Sequence, residues 1–286
     1  MTAGLYRLAL PDGSVRLARG DTRTGPAEVL EIALTMAGIL AGSADELGAV
    51  LRDARSEGEV PAAARILAPV DRQEIWAAGV TYERSRSARV EESQQGTVYD
   101  QVYVADRPEL FFKAPAWRVR GPGETVGIRA DSAWNVPEPE LGLVVAADLR
   151  IAGYTIGNDM SSRSIEGENP LYLPQAKVYE ASCALGPALV PCDAVSLPIE
   201  LSLSIRRGDE AVFDGSTSTV RIHRPLETLV AYLGRALQFP DGAVLLTGTG
   251  VVPDAPFTLQ ASDVVRIDAG PLGTLENPVI EVGSPA

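Results

Sequence analysis

The chain has 286 residues, 45% of them hydrophobic, and a net charge of −13. That length supports one large domain, or a small domain joined to a larger one, and the apolar content excludes a disordered or fibrous chain. The acidic balance argues against nucleic acid or an anionic membrane as partner, and it means that a small anionic substrate needs a local positive charge to receive it.

In chain order, residues 1–70 read as a small N-terminal domain of mixed α/β character. LYRLAL (5–10) and SVRLARG (14–20) form a predicted hairpin about Pro11-Asp12-Gly13. Two helical patterns follow, over AEVLEIALTMAGIL (27–40) and SADELGAVLRDAR (43–55). The second has Ser43 as N-cap and Glu46 three residues on. No chemistry is visible here. From residue 71 to 286 the character changes. WAAGVTY, LFFKAP, LGLVVA, IAGYTIGN, ALGPALV, IELSLSIR, AVLLTG and DVVRID are short β-type runs between Gly, Pro and Asp turns, and helical periodicity is clear only in places such as PLETLVAYLGRAL (225–237). This pattern predicts an α+β, β-rich roll or barrel, not a Rossmann sheet. Residues 83–107 are the longest polar stretch and read as a partly helical lid candidate. No basic start leads into an apolar run, and no apolar run has membrane-spanning length. Cys183 and Cys192 form no disulfide framework or CxxC pair, so both are expected to be small buried side chains in a cytoplasmic protein.

Two features carry chemistry. In PEPELGLVV (137–145), Glu138 and Glu140 stand two apart at the start of a strand, so both point to one face, about 6.6 Å apart. Pro137 and Pro139 cannot donate to a ladder, which places this end at an edge or mouth. A hairpin turning at residues 149–150 would set Glu140 opposite Asp159. Three bare carboxylates would repel one another. They are either solvated acids at a strand end, partly protonated, or ligands of a cation. An all-oxygen set suits Mg²⁺, Mn²⁺ or Ca²⁺ rather than zinc. The second feature is a count: of 25 basic residues only Lys113 and Lys177 are lysine. Either these positions need an amine that can lose its proton, which arginine cannot do, or arginine bias left two survivors.

With these motifs in place, the chain from about residue 75 to 283 resembles the fumarylacetoacetate hydrolase family. GVTY (79–82) is similar to the family's Gly-x-Asn-Tyr, with Thr81 for Asn. ELFFK (109–113), EPELGLVV (138–145), AGYTIGNDMSSR (152–163), KVYEASCALGP (177–187), LLTGTG (245–250) and GTLENPV (273–279) resemble further family motifs in the family's order. The resemblance implies a C-terminal mixed β-sandwich roll behind the small N-terminal domain. It implies Mg²⁺ (or Mn²⁺ or Ca²⁺) on Glu138, Glu140 and Asp159, a 2-oxo acid chelated by the metal, Lys177 beside it, and a homodimer or homotetramer.

Hydrolytic members carry a histidine three residues after the motif tyrosine and a glutamate three further on. Here those positions are Ser85 and Ala88, and the one histidine, His223, lies far along the chain and reads as structural. Water-driven C–C cleavage therefore lacks its usual base. The stretches 79–93 and 98–114 look like the branch that dehydrates 2-keto-3-deoxy sugar acids. That resemblance implies conversion of 2-keto-3-deoxy-D-arabinonate (or the xylonate-derived equivalent) to 2,5-dioxopentanoate in pentose catabolism. Lys177 is the expected C3 proton acceptor, with Glu109 helping the C4 hydroxyl leave or sharing the base role. Arg84, Ser85 and Thr249 are expected substrate contacts, with a solvated helix face as the alternative for Arg84. Lys113 pairs with the acids, neutralises substrate or makes a structural ion pair. Competing readings are an acylpyruvate-type hydrolase, an oxaloacetate-type decarboxylase, or a metal-stabilised protein without turnover.

Overall fold

The computed structural model describes residues 2–82 and 101–283. The first elements are β1 (Ala3–Ala9), β2 (Val15–Asp21), β3 (Gly25–Leu30), α1 (Met36–Leu40), α2 (Glu46–Asp53), β4 (Ser56–Glu59) and β5 (Arg65–Leu67). Then come β6 (Glu74–Gly79), β7 (Glu109–Pro115), β8 (Val126–Arg129), β9 (Asn135–Val136), β10 (Pro139–Val145), β11 (Ile151–Asp159), β12 (Ser161–Ser162), α3 (Arg163–Glu168) and α4 (Leu173–Lys177). The chain closes with β13 (Cys183–Pro191), β14 (Glu200–Arg207), β15 (Glu210–Ser218), α5 (Leu226–Leu233), β16 (Ala243–Leu246), β17 (Val264–Asp268) and β18 (Thr274–Val282).

The β1–β2 hairpin forms as expected, its turn fastened by Asp12, which accepts from the N–H and hydroxyl of Ser14. The helix expected over residues 27–40 is half strand. Val29 faces Ala18 of β2 on one side and Gly58 of β4 on the other, and this ladder holds residues 25–30 extended despite their helical spacing. Only Met36–Leu40 coils, with Thr35 Oγ1 accepting from Gly38 N–H. The second helix begins at Glu46 with Asp45, not Ser43, in the cap position, because a turn closed by the Ser43 carbonyl precedes it. Cys183 is buried, but Cys192 is exposed.

Strands β4-β3-β2-β1-β13-β11-β10-β16-β6-β7 form one sheet in that order, with β5 also paired to β1. A second sheet runs β15-β14-β17-β18-β8. Alternation along β10 explains how the two sheets meet. Leu141, Leu143 and Val145 point one way and join Tyr154, Ile156 and Leu245 against Leu201, Leu203, Ile205 and Ile267 of the second sheet. This is the mixed β-sandwich that the family resemblance implies, where the strand pattern alone left a roll or a barrel open. Glu138 and Glu140 point the other way, and on that opposite face Phe111 and Lys113 of β7 and Asp159 of β11 join them. Among the described residues no helix is long and apolar enough to cross a membrane.

The β10–β11 register differs from expectation. Leu149 adopts φ +60 in a turn closed by Ala146, and a bulge lies between Val144, which faces Gly153, and Val145, which faces Ile151. The turn centres on Asp148 rather than between residues 149 and 150, and the bulge recovers only one residue of that offset, so Glu140 faces Gly157 rather than Asp159. Asp159 instead lies level with Glu138, its N–H donating to the Glu138 carbonyl at 3.0 Å.

Residues 83–100, with the expected contacts Arg84 and Ser85 and most of the lid candidate, lie outside the described residues. Residues 101–104 form a helical turn. Arg224 donates to the carbonyls of Val102 and Ala105 at its C-terminal end, and His223 stacks on Tyr103 at 4.6 Å, which gives the single histidine a structural place.

Candidate metal centre

The acidic end of β10 projects past its neighbour. β16 pairs only with Gly142–Val145, then turns away at Thr247, whose N–H and hydroxyl both donate to the Leu141 carbonyl. Glu138 and Glu140 thus sit where the ladder ends, at the mouth that their flanking prolines predict. Asp159 is held beside them because β12 pairs with β9 and Met160 N–H donates to Ser182. One carboxylate oxygen from each of Glu138, Glu140 and Asp159 lies within 4.8 Å of the others. All three residues are at most 3% exposed.

Basic side chains surround this cluster. Lys177, the last residue of α4, is fully buried, and its ammonium donates to Glu138 Oε2 at 2.8 Å, Asp159 Oδ2 at 3.0 Å and Ser161 Oγ. The Phe111 ring lies 5.7 Å from Lys177 Nζ. Arg163, the first residue of α3, reaches Glu138 Oε1 at 2.8 Å. Lys113 is also fully buried. Its ammonium donates to the carbonyls of Met160 and Lys177 and lies against Asp159 Oδ1. Lys113 therefore pairs with the acids, and through the Lys177 carbonyl it also ties α4 to β7 and β11.

Glu140 is held differently from Glu138 and Asp159. Its Oε2 accepts from a backbone donor, the Gly248 N–H, at 2.6 Å. Burial, and then the neighbouring charges of Asp159 and Glu138, push its pKa well above the usual carboxylate range. A buried set of three carboxylates whose own repulsion raises a proton affinity fits a divalent cation. The donors are all oxygen, the chemistry of Mg²⁺, Mn²⁺ or Ca²⁺.

The cleft over this cluster is walled by Gly79, Val80, Phe111 and Thr249 together with the acids, Arg163 and Lys177. Thr249 lines this cleft, its hydroxyl donating to the Val251 carbonyl at 3.0 Å. Glu109 stands opposite Gly79 in the β6–β7 ladder, and a Cβ at Gly79 would come 2.0 Å from Glu109 Oε2. This half-buried carboxylate therefore packs against Gly79, one of the residues that line the cleft. Glu180 pairs with Arg120 on the surface. Sequence reasoning gave no role to Arg163 or Ser161. The one available signal was a lone arginine four residues after Asp159.

Fold and site together define a β-sandwich protein with a buried cluster of acids and lysine built around a cation position. The family profile described as fumarylacetoacetate (FAA) hydrolase C-terminal matches residues 74–280, and the chain belongs to that family. It is 52% identical over 216 residues to a probable 2-keto-3-deoxyxylonate dehydratase of Haloferax volcanii, covering 75% of this chain and 74% of that protein. It is 42% identical over 221 residues to the 2-dehydro-3-deoxy-D-arabinonate dehydratase of Saccharolobus solfataricus, with the same coverage. A solved 2-keto-3-deoxy-D-arabinonate dehydratase complexed with magnesium and 2,5-dioxopentanoate superposes with a TM-score of 0.83 at 32% identity, covering 98% of this chain and 99% of that one.

Proposed function

We propose that the protein is a Mg²⁺-dependent dehydratase that converts 2-keto-3-deoxy-D-arabinonate, or its xylonate-derived equivalent, to 2,5-dioxopentanoate. The observation that carries this reading is the buried Glu138–Glu140–Asp159 cluster bridged by Lys177. These three acids would hold the cation. When bound, it supplies Lewis acidity to the keto and carboxylate oxygens of the substrate and so lowers the cost of removing a C3 proton.

Lys177 Nζ takes that proton. It could do so only as the neutral amine, which a cation taking over Glu138 and Asp159 would favour over the ammonium that those acids now hold. Glu109, packed against the cleft-lining Gly79, delivers a proton to the departing C4 hydroxyl, which leaves as water, and tautomerisation then gives the C5 aldehyde. Thr249, Arg84 and Ser85 orient the substrate. No attacking water is needed, which agrees with Ser85 and Ala88 standing where hydrolytic members have histidine and glutamate.

The same reading assigns residues 1–70 to a supporting N-terminal domain and the protein to a cytoplasmic homodimer or homotetramer. Incubation of the protein with 2-keto-3-deoxy-D-arabinonate and Mg²⁺ should yield an aldehyde that an NADP-dependent semialdehyde dehydrogenase oxidises. Turnover of acylpyruvates with no product from the sugar acid would overturn the assignment.

A further inference from the structure

Thr81 is fully buried and follows the cleft-lining residues Gly79 and Val80. Val80 is held at φ +52, a left-handed conformation that is costly for a β-branched residue, so its surroundings must impose it. Just past this twist, Thr81 Oγ1 donates to the Thr247 carbonyl at 2.6 Å. Gly248 follows with φ +83, and a Cβ there would stand 2.1 Å from Thr81 Oγ1, so the hydroxyl lies directly against this backbone. The Gly248 N–H donates to Glu140 Oε2 at 2.6 Å. The Thr81 carbonyl accepts from His223 N–H at 2.9 Å, which pins Thr81 from the far side.

The Thr247 carbonyl and the Gly248 N–H belong to one planar peptide group. Thr81 therefore holds the oxygen end of the amide whose nitrogen end holds Glu140. A bond at the oxygen fixes the plane and polarises the amide, which makes its N–H a stronger donor.

We propose that Thr81 is a positioning residue for the cation site: it sets the Thr247–Gly248 peptide plane so that the Gly248 N–H holds one Glu140 oxygen and the other is presented to a divalent cation. The inference rests on the reading of Glu138, Glu140 and Asp159 as cation ligands. It concerns affinity for the ion, not the reaction, and it singles out the position where this chain departs from the family's Gly-x-Asn-Tyr pattern.

The test is calorimetric titration with Mg²⁺ alone, without substrate, on wild type, Thr81→Val, Thr81→Ala and Thr81→Ser, with folding checked by thermal unfolding in EDTA. Removing the hydroxyl in either of the first two variants should weaken Mg²⁺ binding by about 10- to 100-fold, the usual effect of losing a group that orients a ligand. Thr81→Ser keeps the hydroxyl and should keep wild-type affinity. Wild-type affinity in a folded Thr81→Val or Thr81→Ala variant, or equal loss in Thr81→Ser, would overturn the proposal. Wild-type protein that binds Mg²⁺ yet dehydrates no sugar acid would overturn the proposed function and leave this inference standing.

Discussion

Lys177 is fully buried with three acceptors around its ammonium, and Glu138 is gripped from two sides by Lys177 and Arg163. If the amine moves the C3 proton, Lys177→Met should lower kcat by about 10²- to 10⁴-fold. Mg²⁺ titration of the same variant should still show binding, since the three acids remain. A Lys177→Met enzyme with near-normal kcat would remove the amine from the mechanism. The acids themselves were legible because two glutamates at strand spacing, each behind a proline, must share one face of a strand end. The lysines stood out by their rarity. Arg163 was not legible. It reaches Glu138 only because the two-residue β12 pairs with β9 and starts a six-residue helix at the right place, and so short an element leaves no periodic trace in a sequence.

Strand β10 separates two tasks by the alternation of its side chains. Leu143 is fully buried on the sandwich side, whereas Glu138 and Glu140 are on the other. Leu143→Ala should therefore cost about 2–5 kcal/mol of stability, read from denaturant unfolding, while Mg²⁺ affinity is preserved. Equal loss of both would mean that the two faces are not independent. The major strands of the C-terminal part were readable as short β-type runs between turn residues. The strand inside residues 27–40 was not, because pairing with β2 and β4 overrides a helical spacing that Val29 and Leu30 carry by coincidence. The bulge at Val144–Val145 was equally hidden: no residue type announces it, yet it decides that Asp159 sits level with Glu138.

Across the whole molecule, burial moves several groups that are neutral at physiological pH. It pushes the Tyr6 hydroxyl up to about 12, the Cys183 thiol up to about 12, and the hydroxyls of Tyr82 and Tyr179 higher still. A group whose pKa is raised on folding contributes stability that is complete below its unfolded value and is lost as pH rises through the folded one. The unfolded values are about 8.5 for cysteine and about 10 for tyrosine. These groups should therefore make the thermal midpoint fall progressively from about pH 9 to 12. A midpoint flat across that range would show that these groups stay accessible.

Both lysines of the chain lie at the acid cluster with no exposed surface, and every other basic side chain but His223 is a guanidinium. Acylating or reductively methylating reagents thus meet no lysine on the outside of the folded molecule. Immobilisation or dye labelling through lysine would report unfolding rather than surface attachment, and any lysine modification found on intact protein would mark a breach of the buried acid cluster.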